Sequence, residues 1–192
     1  MGRRIDDLAR RRPLANLISI PVSDPQPPSL PTPRSDRFVP IPAPGIQLTS
    51  LTHVEDVATL LAAIPGRPAA VGEHFNACSD RPLAFDGIVQ VVADAAGREA
   101  RIVHYAPAEL KLAKGEGFPF RAGHFFASCD KAKRLLEWAP RHTFAGDVAD
   151  RLAEYVASGR AEREIDFSTD DTILAHCGGA NCEFVHVGAG KY

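Results

Sequence analysis

Short apolar pieces separated by Pro-Gly punctuation run through RFVPIPAPGIQLTSLTHV (37–54), a texture of short strands and tight turns rather than of a helix. The period then changes. Val54, Val57, Ala58, Leu61 and Ile64 recur at helical spacing, and Thr52 with Glu55 three residues on forms a capping box at the start of that helix. EHFNACS (73–79) reads as a short buried strand ending in a polar turn. Asp86 opens a second helix with Ile88, Val91, Val92 and Ala95 facing a core, and RIVHY (101–105) is another short strand. After a loop holding Lys111, Lys114 and Gly115, the spacing predicts a helix from about 129 to 138, stopped by Pro140. A last helix spans about 145 to 158, with Val148, Leu152, Tyr155 and Val156 on one face. Strands alternating with helices over about 130 residues indicate α/β or α+β, and no internal repeat is present.

Composition separates the first part of the chain from the rest. Of 16 prolines in 192 residues, ten lie between Pro13 and Pro44, behind a run of Arg3, Arg4, Arg10, Arg11 and Arg12. Such a stretch favours extended polyproline conformation and cannot bury a core, so residues 1–34 read as a disordered segment. Its arginines suit an organelle transit peptide, whereas Asp6, Asp7, Asp24 and the break at Pro13 suit a plain tail or a misplaced start. The net charge of −2 argues against coating nucleic acid or membrane through the overall field, so any such binding is local. No apolar run approaches the roughly 20 residues of a membrane-spanning helix. The four cysteines, Cys78, Cys129, Cys177 and Cys182, read as reduced thiols rather than a disulfide framework.

Five phrases in order, THVEDVA (52–58), FNACSDRPLAFDG (75–87), RIVHY (101–105), FPFRAGHFFASCDKAKRLLEWAP (118–140) and DFSTDDTIL (166–174), carry a resemblance to a known family. They look like the carboxy-terminal half of extended short-chain dehydrogenase/reductases, the NAD-dependent nucleotide-sugar epimerase and dehydratase superfamily. Within it the phrases HFFAS and DFSTDD are similar to those of the plastid and cyanobacterial stem-loop-binding RNA proteins. The resemblance implies an α/β fold: the substrate-side lobe of an extended Rossmann-type dehydrogenase/reductase, here lacking the N-terminal nucleotide-binding core. It covers residues 35–174 as one domain and leaves 175–192 as a flexible tail. It also implies RNA binding, a chloroplast location (the alternative being cytoplasmic), and RNA, a homologous full-length subunit or a ribosomal or ribonucleoprotein particle as partners. The alternatives are a fragment of an NAD(P)-dependent nucleotide-sugar epimerase or dehydratase, and an inactive truncated product.

Catalytic parts of that family are missing from the sequence. There is no G-x-G-x-x-G or G-x-x-G-x-x-G, whose backbone amides would cradle a dinucleotide pyrophosphate at a helix start. A Tyr-x-x-x-Lys pair lowers the tyrosine pKa so that the phenolate acts as base, and Tyr105, Tyr155 and Tyr192 all lack that lysine. No catalytic or cofactor-binding residue is therefore assigned, and NAD(P) is expected only if a nucleotide-binding half is present.

Charge and aromatic content single out one region. Between Arg101 and Arg141 stand eight basic residues against four acidic, while from His142 onward the balance is four against nine. Such a distribution steers phosphate to one face, and Phe118, Phe120, Phe125 or Phe126 offer stacking surfaces for unpaired bases; the plain alternative is a solvated helix with core aromatics. Within 118–140, Ser128 is a candidate cap, Asp130 suits a helix start, and Ala132, Leu135, Leu136 and Trp138 supply a buried face. Folding leaves Arg121, His124, Lys131, Lys133 and Arg134 unexplained. These five are the candidate nucleic-acid or phosphate contacts, Arg121 also standing near where the family grips a diphosphate.

Other chemistry-bearing residues have structural readings. His53 and Asp56 suit a helix N-terminus, and Cys78 suits a small buried hydrophobe. Asp166, Asp170 and Asp171 read as an acidic surface turn rather than a metal-facing group. His176, Cys177, Cys182 and His186 could hold zinc, but C-x4-C-x3-H is not a usual spacing, so no metal site is assigned.

Overall fold

The computed structural model describes residues 37–112, 117–118, 123–159, 166–179 and 182–187. In chain order its elements are β1 (Val39–Pro42), β2 (Leu48–Thr49), α1 (Val54–Ala63), β3 (Leu83–Ala84), α2 (Phe85–Ala95), β4 (Ala100–Tyr105), α3 (Asp130–Leu136), α4 (Phe144–Ala157), α5 (Ser168–Gly179) and β5 (Glu183–Val187). Single turns of 3-10 helix stand at Pro68–Ala70 and Pro107–Glu109. The fold is mixed α/β.

β4 is the middle strand of the larger sheet. It pairs parallel with β1, Val39 opposite Ile102 and Pro42 opposite Tyr105, and antiparallel with β5, Ala100 opposite Val187 and His104 opposite Glu183. β1 tolerates Pro40 and Pro42 because it is an edge of this sheet, where a missing N–H breaks no ladder on the outer side. Alternation along β4 sends successive side chains to opposite faces. Ala100 and Ile102 enter one core with Ile41, Phe85, Ile88, Val89, Val92, Ala93 and Val148, contributed by β1, α2 and α4. Val103 and Tyr105 enter another with Ile173 and Cys177 of α5. A strand covered on both faces reads as a continuous apolar run, which is the reason RIVHY is legible in sequence. Each fully buried aliphatic or phenyl side chain of these two cores contributes about 1.5–3 kcal/mol.

A third core holds the rest together. Leu60 of α1, Cys78, and Cys129, Ala132, Leu136 and Trp138 on and around α3 bury one another. A two-stranded sheet, β2 antiparallel to β3, lies between these parts.

Several expectations change. In α1 the inward residues are Asp56 and Leu60, while Val54, Ala58 and Leu61 face outward; the polar Asp56 turns inward because it has backbone donors to meet, as described below. The helix is capped by His53, whose Nδ1 accepts the Glu55 N–H at 3.2 Å, and Thr52 instead donates to the Ala77 carbonyl at 3.1 Å. Residues 73–79 form no strand; only Cys78 among them is buried. The helix expected from 129 to 138 is shorter, ending at Leu136 with Glu137 in the left-handed region at φ 56°. Residues 166–174 begin α5, which runs on to Gly179, and β5 follows; the segment from 175 onward, expected as a tail, thus supplies the helix end and an edge strand. Cys177 of α5 and Cys182, just before β5, form a disulfide, Cα atoms 5.2 Å apart, where reduced thiols were expected.

One turn is sterically unforgiving. Between β1 and β2, Gly45 sits at φ 77°, and a Cβ there would land on the Asp86 carboxylate and on His104 Nε2. Those two groups form a pair of their own, Nε2 lying 2.9 and 3.0 Å from the Asp86 oxygens, and join α2 to β4. Gly45→Ala combines left-handed strain with displacement of this buried pair. It is expected to destabilise the chain by at least about 2 kcal/mol in urea unfolding, against a negligible effect for Gly97→Ala at the equally left-handed but open end of α2 beyond its own strain of about 1 kcal/mol.

Candidate nucleic-acid interface

Four of the five candidate residues, His124, Lys131, Lys133 and Arg134, fall on one loop and one helix. The loop from 123 to 129 is held along β2 like an extra strand: Phe125 N–H donates to the Leu48 carbonyl at 2.7 Å, and Ser50 N–H donates to the Phe125 carbonyl at 3.2 Å. His124 is part of that clamp. Its Nδ1 accepts the Leu48 N–H at 3.0 Å, so one ring nitrogen is committed to structure while the side chain stays exposed. Further on, the Asn76 amide donates to the Ser128 carbonyl at 3.1 Å and Cys78 donates to the Ala127 carbonyl, also at 3.1 Å. The path of the loop is therefore fixed on both sides.

This clamp leaves Phe125 and Phe126 each 56% exposed. Phe118 behaves differently. It packs on Phe85 with ring centroids 4.7 Å apart and belongs to the main core. Phe120 and Arg121 lie outside the described residues.

α3 begins where the loop ends. Ser128 Oγ accepts the Asp130 N–H at 3.0 Å, Ala132 and Leu136 are buried, and Lys131, Lys133 and Arg134 occupy the outer surface. Two of these cations have acidic partners that sequence reasoning missed. Lys131 pairs with Glu73 and lies over the Phe75 ring, 5.5 Å from its centroid. Lys133 meets Asp80 at 2.6 Å and Asp130 at 3.6 Å. Arg134 is exposed and makes no ion pair among the described residues. The ammonium of Lys131 holds the Glu73 carboxyl below its usual range, and Lys133, followed by the Cys129 thiol, does the same to Asp80; Asp80 in turn raises Lys133. Glu73 stands 58 positions from Lys131 in the chain and Asp80 stands 53 from Lys133, so no local charge count could reveal them.

The basic excess of 101–141 does not form one patch. Arg101 stacks on the Phe38 ring at 4.4 Å, beside the β1–β4–β5 sheet, and the backbone N–H of Arg141 is spent on Asp56 at 2.9 Å. Lys114 lies outside the described residues. In the carboxy-terminal part, Arg37 pairs with Asp171, and Asp166 Oδ1 accepts the Ser168 N–H at 2.9 Å, so these carboxylates serve the start of α5. The possible zinc set is not assembled as thiolates, since Cys177 and Cys182 are joined and His176 lies 3.4 Å from Glu109.

Beneath α3 the two free thiols are inert in character. Burial pushes the Cys78 thiol up, and burial together with the hydrogen bond to Asp80 pushes Cys129 up to about 12. A thiolate is the reactive form.

At the other end of α1, the imidazoles of His53 and His142 stack, centroids 3.9 Å apart and planes 18° from parallel. His142 Nδ1 lies 3.1 and 3.2 Å from the Asp147 oxygens, and Nε2 lies 3.3 Å from Glu55. The Asp147 hydrogen bond, aided by the charges of Asp56 and Glu55, raises the His142 pKa. No sequence signal joins these residues, which reach one another only when α1 and α4 bring their N-termini together.

No family model matches the chain. The chloroplast stem-loop binding protein of 41 kDa b from Arabidopsis thaliana is 39% identical over 143 residues, 74% of this chain and 38% of that protein. The chain is thus similar to a protein whose name states chloroplast stem-loop binding, and it spans less than two fifths of that relative's length. That relation agrees with the similarity carried by the HFFAS and DFSTDD phrases.

Two predictions follow from the geometry around α1 and α3. In the folded protein near pH 8, Cys78 and Cys129 should resist a thiol reagent that labels both after unfolding in urea; rapid native labelling at either would contradict their burial. Because the folded-state pKa of His142 lies above its unfolded value, its stabilisation is full below about pH 6.5 and is lost as pH rises through the folded value. Urea midpoints taken in chelator from about pH 6 to about pH 9 should fall less steeply for His142→Gln than for the unaltered chain.

Proposed function

We propose that this chain binds structured RNA in the chloroplast, with the 123–136 loop and helix as the contact. The observation that carries the reading is the pair of adjacent, exposed phenylalanines, Phe125 and Phe126, on a loop whose backbone is pinned to β2. An exposed phenyl ring forgoes the burial that stabilises a core, whereas two rings on a rigid platform suit the stacking of unpaired bases in a loop. Arg134 on α3 supplies an exposed cation that makes no ion pair among the described residues, and Lys131 and Lys133 exchange Glu73 and Asp80 for phosphate. The similarity to a chloroplast stem-loop binding protein supports both the ligand and the compartment.

The fold reading that goes with this is a substrate-side lobe of an extended Rossmann-type dehydrogenase/reductase. A parallel β1–β4 pair with helices packed on both of its faces supports it, since such pairing belongs to layered α/β folds. NAD(P) would then bind through a nucleotide-binding half, and a homologous full-length subunit or a ribonucleoprotein particle would supply the missing packing surface.

The test is a mobility-shift titration of the purified chain on a stem-loop RNA across a salt series. Binding should weaken with salt, and reversing Lys131, Lys133 and Arg134 to Glu should abolish the shift. Phe125→Ala with Phe126→Ala should lose about 1–3 kcal/mol per stacked base while leaving the salt slope unchanged. Glu73→Gln with Asp80→Asn should tighten binding, because the competing carboxylates are gone. A shift insensitive to salt, or one indifferent to all three sets of substitutions, would sink the proposal.

A further inference from the structure

The stacked pair of histidines points to chemistry unrelated to RNA contact. One donor atom from each of His53, His142 and Asp147 lies within 4.8 Å of the others, and all three residues are half-buried. Glu55 stands beside them, its Oε2 3.3 Å from His142 Nε2. These residues come from two places: His53 caps α1 and Glu55 lies in its first turn, while His142 precedes α4 and Asp147 lies in the first turn of that helix. Three carboxylates, Glu55, Asp56 and Asp147, surround the two imidazoles, a concentration of negative charge that favours a cation. Asp56 is already occupied by the N–H groups of Arg141 and His142 at 2.9 and 3.1 Å and acts as the fixed base of the cluster.

We propose that His53, His142 and Asp147 bind a divalent transition-metal ion of the zinc class, with a solvent molecule completing the coordination. Two imidazole nitrogens with carboxylate oxygens suit zinc, cobalt, nickel or copper better than magnesium or calcium, which prefer all-oxygen sites. Metal–nitrogen and metal–oxygen bonds of about 2.0–2.2 Å place tetrahedral ligand atoms roughly 3.3–3.6 Å apart. Side-chain rotation closes the remaining gap of about 1 Å, which half-buried side chains at two helix starts permit. The rings must turn out of their stack to aim lone pairs at one ion, and His53 exchanges its cap hydrogen bond from Glu55 N–H for the metal bond. The ion would then pin the N-termini of α1 and α4 together, adding to the link made through Asp56 and the side chains in this cluster.

The experiment titrates zinc into the chelator-stripped full chain by calorimetry, with cobalt absorption as a second reading of coordination. Roughly one zinc should bind, and cobalt should give the intense visible bands of a four-coordinate site. His53→Asn, His142→Asn and Asp147→Asn should each weaken binding about tenfold or more. His53→Asn is the decisive variant, because Asn remains a good helix cap and removes only the imidazole. His176→Asn with His186→Asn, which disables the carboxy-terminal histidines, should leave binding unchanged. Absence of zinc binding, binding undiminished by His53→Asn, or binding lost through His176→Asn with His186→Asn would overturn the proposal.

Discussion

The Asp56 carboxylate governs how the second half of the domain is assembled. It is 2% exposed, and an ionised carboxylate so enclosed is tolerated only when donors surround it. The N–H groups of Arg141 and His142 are those donors, and both belong to the connection between α3 and α4. Holding that connection on α1 fixes everything attached to it. Trp138 is drawn in so that its indole N–H meets Thr59 Oγ1 at 3.0 Å, α3 lies down on Leu60, and His142 comes to rest against His53. The basic helix and the histidine cluster are thus two consequences of one buried charge, located on either side of it.

The same assembly sets the electrostatics of the candidate interface. Loop 73–80 has no regular structure, yet it is buried at Cys78 and presents Glu73 and Asp80 to α3. Surface pairs of this kind are weak, on the order of 0–1 kcal/mol, and are screened by salt. They lower the field of the helix without blocking it.

Much of the layout was legible from residue pattern. The α2 face, the RIVHY strand and the span of α4 depend on local spacing, which acts within a few residues, whereas α3 stops at a left-handed Glu137 before Pro140 is reached. The cap of α1 was legible in place but not in identity, because Thr52 was needed by the Ala77 carbonyl and His53 took its role. The inward face of α1 was misread for a related reason: apolar spacing marked Val54 and Leu61, but a polar residue with distant backbone donors outranks an exposed valine. Within the candidate site, the loop and helix were found from composition, and Phe125 was marked together with Phe118 although their environments are opposite.

The sequence by itself determined that strands alternate with helices, that 101–105 is a strand, and the concentration of aromatic and basic residues in 118–140. Those properties rest on local periodicity and turn chemistry, which neighbouring residues decide. Only the tertiary structure decided that Phe118 is core while Phe125 and Phe126 are surface, that Lys131 and Lys133 face carboxylates, that Cys177 meets Cys182, and that His53 meets His142. Each of these is a contact between separate elements, and its partner is chosen by how the buried faces pack rather than by anything written beside it in the chain.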